Sequence, residues 1–201
     1  MIAILDYGVG NLGSVLNMLK RAGLQSEITD SEAAIASADK IILPGVGAFD
    51  RAMQRLNDSG LRDILDHKAL VEKVPVLGIC LGMQLLTKGS QEGDIAGLGY
   101  IDAFAHRFPV NAALKVPHMG WNEVRKANAS PLTAALPDDA RFYFVHSYYV
   151  EVANQANAML KCNYGVEFDA AIMAGNIYGA QFHPEKSHRF GRTLFESFGA
   201  L

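Results

Sequence analysis

Apolar residues fall into two alternating periods along the first half of the chain. Short β-branched or aliphatic runs at Ile2–Asp6, Ser26–Thr29, Lys40–Leu43 and Val76–Ile79 read as strands. Stretches with apolar positions three and four apart read as helices at Asn11–Ala22, Phe49–Leu56 and Leu61–His67, the first with Leu12, Val15, Leu16 and Leu19 on one stripe. Another helix is expected directly after Cys80. Strand and helix in alternation form the βαβ pattern of a parallel sheet covered on both faces. After Gly99 the pattern changes to many short strands: Tyr100–Arg107, Arg141–Val145, Tyr148–Val152, Ala158–Asn163, Ala170–Ala174 and Ile177–Phe182. These predict a mixed or antiparallel extension of the sheet, closed by a last helix at His188–Phe198. No repeat, linker or low-complexity segment divides the chain, so one α/β domain over residues 1–201 is expected.

Composition agrees with that outline. Half of the residues are hydrophobic and 19% charged, with 19 glycines and 7 prolines, as in a buried sheet between helices and unlike disorder. At 201 residues the fold buries about 70% of the unfolded surface and needs no staples. The net charge is -3 and no Lys/Arg cluster could grip a phosphate backbone, which excludes nucleic acid and anionic membrane as partners. The opening Met1–Asp6 lacks a basic n-region, and the longest apolar stretch, near Val74 to Leu86, is too short to span a bilayer; a cytoplasmic protein is expected. Cys80 and Cys162 are too few for a disulfide framework or a zinc site, so both read as free thiols, with no metal and no cofactor implied.

Gly78-Ile79-Cys80-Leu81-Gly82 follows an apolar strand and leads into an apolar helix, which puts Cys80 at the apex of a strand–turn–helix elbow. The flanking glycines allow close backbone approach, and the carboxyl edge of the sheet is where open α/β folds keep their sites. A free thiol of pKa ~8.5 is only a few per cent thiolate at neutral pH, and a helix N-terminus with a nearby histidine would raise that share. Taken alone, Cys80 also reads as a small apolar residue packed at a strand end.

His183 supplies the missing base. In Gln181-Phe182-His183-Pro184-Glu185 an extended chain would point residues 183 and 185 the same way, so Glu185 could fix the tautomer of His183. Nucleophile, base and orienter are then all present. Pro44-Gly45-Val46-Gly47 can aim a backbone N–H at a developing oxyanion, beside the N–H of Leu81. A rival signal is Gly8-Val9-Gly10-Asn11-Leu12-Gly13 with Asp30 about twenty residues on, which matches a dinucleotide fingerprint. Any tight strand-to-helix turn favours those glycines, and nothing later in the chain is built to meet a nicotinamide.

Together Pro44-Gly45-Val46-Gly47, Gly78-Ile79-Cys80-Leu81-Gly82-Met83-Gln84 and Gln181-Phe182-His183-Pro184-Glu185 resemble the class I (triad) glutamine amidotransferases over nearly the whole chain. Within that class Asp6-Tyr7-Gly8-Val9-Gly10-Asn11, Pro117-His118-Met119-Gly120-Trp121-Asn122 and Phe142-Tyr143-Phe144-Val145-His146-Ser147-Tyr148 are similar to the glutaminase subunits of imidazole glycerol phosphate synthases. The resemblance implies a flavodoxin-like three-layer fold with a mostly parallel sheet and an antiparallel extension. It implies that Cys80 attacks the side-chain amide of L-glutamine, with His183 and Glu185 completing the triad and Val46 and Leu81 the oxyanion hole. Gly47, Gln84, Glu92, Ser147 and Tyr148 would hold the glutamine. Asn11, His118, Trp121, Tyr143 and Lys186 would lie near the interface with a cyclase subunit, which receives the ammonia in a heterodimer.

Many relatives in the wider class carry another glycine where Val46 stands. A β-branched residue resists positive φ, so the peptide around Val46 is expected to rest with its N–H away from the oxyanion site until the partner shifts it. A glutaminase for another acceptor, a γ-glutamyl hydrolase acting alone, and a non-catalytic binding protein remain as alternatives. Cys162, in Lys161-Cys162-Asn163-Tyr164, has no histidine or carboxylate pattern beside it and reads as structural.

Overall fold

The computed structural model describes residues 1–109 and 114–201. Strands β1 (Ile2–Leu5), β3 (Lys40–Gly45) and β4 (Val76–Cys80) are buried along almost their whole length, as strands covered on both faces must be. Successive side chains part to opposite sides. Ile2, Ile4, Ile42, Leu77 and Ile79 enter one apolar cluster with α1 (Leu12–Arg21) and α6 (His188–Ala200). Leu5, Ile41, Leu43 and Val76 enter the other, beneath α2 (Glu32–Ala36), α3 (Phe49–Asp58), α4 (Arg62–Asp66) and α5 (Leu81–Leu85). The result is a three-layer α/β arrangement. Two details depart from expectation: α2 carries only Ile35 as a buried residue and has too little pattern to be read, and α4 runs on into a π-helical turn at His67–Val71.

The central sheet has the order β2 (Ser26–Thr29), β1, β3, β4, β12 (Ile177–Ala180), β11 (Val166–Ala174), β10 (Ala158–Tyr164) and β7 (Arg125–Lys126). Pairing is parallel from β2 through β12 and antiparallel beyond. The antiparallel extension is smaller than predicted. β5 (Ala103–Arg107) pairs with β9 (Tyr148–Val152), and β6 (His118–Glu123), which no strand reading anticipated, pairs with β8 (Arg141–His146), each as a separate ribbon. Local alternation looks the same in a ribbon and in a sheet; only the distant partner decides. Asp169 on β11, 1% exposed, ties the layers: it accepts from the Val152 N–H at 2.9 Å and pairs with Lys161 Nζ at 2.7 Å.

One consequence of this order positions the site. β12 lies parallel to β4 with Ala180 opposite Ile79, so the residues that follow each strand emerge side by side. Among the described residues no helix is long and apolar enough to cross a membrane.

Candidate active site

Cys80 ends β4 and opens α5 with φ 55° and ψ −110°, a conformation that crowds any β-carbon. Its surroundings enforce the turn. A β-carbon on Gly78 would lie 2.7 Å from the Gly82 backbone, and one on Gly82 would lie 1.8 Å from the Leu43 carbonyl oxygen. Only glycine lets α5 sit this close to β3 and β4. Leu81, the first residue of α5, has a backbone N–H without an intrahelical acceptor. Tyr7, from the loop after β1, donates to the Pro44 carbonyl at 2.6 Å and so pins the start of the glycine loop; burial, then Cys80 nearby, raises its pKa.

His183 arrives from the next strand. β12 stops at Ala180, and the His183 N–H donates to the Tyr143 carbonyl at 2.9 Å. The Ser187 hydroxyl donates to the His183 carbonyl at 2.6 Å and accepts from the Tyr143 N–H at 3.0 Å. The predicted strand Ile177–Phe182 is therefore too long, and residues 183 and 185 are not joined by extended chain. A 3-10 turn at Pro184–Lys186 folds Glu185 back instead, bringing its Oε1 within 2.7 Å of His183 Nδ1. Both side chains are buried. A carboxylate only accepts, so Nδ1 carries the proton and Nε2 is the free nitrogen. Among the described residues neither Nε2 nor Glu185 Oε2 has a hydrogen-bond partner. Burial lowers the His183 pKa, but the Cys80 sulfur and the Glu185 carboxylate outweigh it and hold the value well above that of an ordinary histidine.

Cys80 and His183 line one cavity of about 340 Å³. Val46, Gly47, Leu81, Gln84, Glu92, Ser147, Tyr148 and Lys186, all singled out in the sequence, line it too. Val46 is 45% exposed and keeps negative φ, the positive φ of 102° falling on Gly47. Glu92 accepts from the Phe49 N–H at 3.0 Å at the start of α3, and burial raises its pKa. Gln84 spends its Nε2 inward, on the Tyr148 carbonyl at 3.2 Å and Gln181 Oε1 at 3.1 Å, which leaves its Oε1 to offer a ligand.

Trp121, Tyr143 and Lys186 gather at the cavity's flank. Trp121 is 44% exposed and stacks on His188 at 5.5 Å, and Lys186 Nζ stands 5.7 Å from the Tyr143 ring centroid. Asn11 is exposed at the start of α1. His118 turns inward: it is 2% exposed, stacks on Tyr164 at 3.9 Å, and meets His146 at 3.0 Å, while its neighbour Met119 is 62% exposed. His146 lines the cavity and reaches the Tyr148 carbonyl at 2.7 Å; a histidine inside an aromatic strand is its only signal in the sequence.

The rival loop loses its main structural argument. Gly8 and Gly10 adopt φ of 81° and 112°, but a β-carbon on Gly13 would meet nothing within 4 Å, so the third glycine serves no close helix–strand contact of the kind a dinucleotide fingerprint needs. Among the described residues no group of three or more His, Cys, Asp or Glu could hold a metal. Cys162 is buried on β10, and burial raises its pKa to about 12.

The chain matches the glutamine amidotransferase class-I family model over residues 3–199, and it belongs to that class of enzymes. In fold it is similar to a crystal structure of a glutamine amidotransferase (TM-score 0.77, 16% identity, covering 100% of this chain and 99% of that one). It is also similar to the structure of PurLQS from Thermotoga maritima (TM-score 0.74, 19% identity, 98% and 96%). In sequence it is 50% identical over 201 residues to imidazole glycerol phosphate synthase subunit HisH 2 of Pseudomonas aeruginosa, covering 100% of both chains. It is 50% identical over 198 residues to HisH 2 of Methanococcus maripaludis (98% of both) and 47% identical over 204 residues to HisH of Bdellovibrio bacteriovorus (100% of both). Within the class, the chain belongs to the HisH family.

Proposed function

We propose that the chain is the glutaminase subunit of imidazole glycerol phosphate synthase, working as a single domain in the cytoplasm. Cys80 Sγ attacks the amide carbon of glutamine, His183 protonates the departing nitrogen, and ammonia leaves a γ-glutamyl thioester. Water, deprotonated by His183, then opens the thioester to glutamate and regenerates the thiol. Glu185 holds His183 in the tautomer that presents Nε2. The Leu81 N–H faces the oxyanion, joined by the Val46 N–H once that peptide turns. Gly47, Gln84, Glu92, Ser147 and Tyr148 hold the substrate.

Ammonia released to water becomes ammonium and loses its nucleophilicity. The subunit therefore docks on a cyclase, which incorporates the ammonia to form imidazole glycerol phosphate and aminoimidazole carboxamide ribotide in histidine biosynthesis. Asn11, His118 through its strand, Trp121, Tyr143 and Lys186 mark the docking face. Exposed Val46 and Met119 beside the cavity supply apolar area for it.

The observation that carries this reading is a buried histidine with one nitrogen on a carboxylate at 2.7 Å and the other unpartnered in a cavity shared with a cysteine. Glutamine turnover measured with and without the cyclase and its ribonucleotide tests it. The isolated chain should be slower by roughly 10²-fold or more, the worth of one oxyanion donor. Equal rates alone and in complex would overturn the Val46 mechanism, and turnover surviving in Cys80→Ala would overturn the chemistry.

A further inference from the structure

Gln181 is a polar side chain in a place that offers it little. It stands between Ala180 and Phe182 and is fully buried, so its amide must find partners inside the protein. It has two. Its Oε1 accepts from Gln84 Nε2 at 3.1 Å, and its Nε2 lies 3.8 Å from Cys80 Sγ. The orientation of both amides follows from a backbone carbonyl, which can only accept. The Tyr148 oxygen takes the Gln84 N–H at 3.2 Å, so the nitrogen of Gln84 faces inward; the atom of Gln181 that meets that nitrogen is then its oxygen, and its NH₂ points at the sulfur. The other lone pair of the Tyr148 oxygen takes His146 Nδ1 at 2.7 Å.

We propose that Gln181 is a further catalytic residue at the nucleophile: its amide, aimed by Gln84 and the Tyr148 carbonyl, donates to the Cys80 thiolate and stabilises it over the thiol. This rests on the reading of Cys80 as nucleophile and adds a group to it. A neutral thiol is a weak acceptor and a thiolate a strong one, so the buried N–H regains its lost hydration mainly when the sulfur is charged. The Val145 carbonyl, 3.9 Å from Sγ, works the other way and suits the protonated thiol. The donor also acts late in the reaction. When the carbon–sulfur bond of the thioester breaks, its electron pair returns to a sulfur that already faces an N–H.

The test is alkylation of the full-length chain by iodoacetamide across pH 5 to 10, with Cys80 and Cys162 peptides quantified separately by mass spectrometry. Gln181→Glu keeps the acceptor for Gln84 and replaces the donor with oxygen; Gln181→Met removes the amide at similar volume. Gln181→Met leaves in place the titratable groups around the site, His183 after β12, Tyr7 after β1, His146 on β8, and Glu92 and Lys186 at the cavity, whereas Gln181→Glu adds a carboxyl beside the sulfur. The apparent midpoint of the Cys80–His183 pair should rise by about one pH unit in Gln181→Met, and by more in Gln181→Glu, whose carboxylate also repels the thiolate. Glutaminase kcat should fall about tenfold with the KM for glutamine within about twofold. An unmoved midpoint in folded variants, or a rise in KM alone, would overturn the proposal. Should neither variant fold, the Gln181 side-chain amide resonance of the parent decides: it should titrate with the alkylation midpoint and stop doing so in Cys80→Ala, and a flat resonance would overturn it. Turnover surviving in Cys80→Ala would instead sink the nucleophile reading itself.

Discussion

The two cysteines lie in the same apolar cluster and are both buried, one on the parallel half of the sheet and one on the antiparallel half. Burial alone therefore does not separate them. Cys80 sits where a strand breaks into a helix at positive φ, with an imidazole lining the same cavity and an amide turned toward its sulfur. Cys162 sits mid-strand, paired opposite Phe168, with its pKa pushed up to about 12. A reactive thiol is made by backbone direction and polar neighbours, and the same residue without them is packing.

The sharpest way to break this contrast is to truncate each cysteine. Cys80→Ala should lower glutamine turnover in the complex by more than ~10³-fold, while Cys162→Ala should stay within about twofold; comparable losses would erase the distinction. His183→Asn comes next, with a fall of about 10²–10⁴-fold and a flattened pH–rate profile. On the other half the prediction concerns stability. Lys161→Met leaves Asp169 buried and unpaired and should cost roughly 3 kcal/mol in a denaturant titration, with kcat largely kept.

The smallest expected effect lies in pH dependence, where the histidines act with opposite sign. Burial holds His118 and His146 near 4 and 3, against 6.5 for an ordinary histidine. Their depressed values mean that full stability is present above about pH 6.5 and is lost as pH falls through 4 and then 3. His183, with a raised value of about 10, contributes below pH 6.5 and loses that contribution as pH rises through 10. Melting temperature followed from pH 7 to 4 should fall, and His118→Gln should flatten the fall.

Much of the parallel half was legible because both faces of β1, β3 and β4 are covered, and continuous apolar runs between helical stripes have few other meanings. β2 and β9 fall on their predicted bounds. The ribbons were not legible. β6 places Met119 and Trp121 outward, so its large apolar residues contradict the alternation that a buried strand shows. The elbow could be read locally, since strand, glycines and cysteine are consecutive. The bond between His183 and Glu185 was anticipated for a wrong reason, because a proline-led turn and not an extended strand brings them together. Gln181 escaped notice because its meaning depends on Gln84 and Tyr148, far away in sequence; a glutamine between alanine and phenylalanine at a strand end was the one local hint.

The backbone of Cys80 has an effect on the population of folded molecules as well as on chemistry. With φ 55° and ψ −110° it holds a shape that glycine takes freely and other residues resist by about 1 kcal/mol or more. Cys80→Gly should consequently melt about 2–4 °C above Cys80→Ala, although both are inactive. A chain selected only to persist would drift toward glycine at its most informative position. Under the proposed mechanism the cysteine there trades folded stability for a nucleophile.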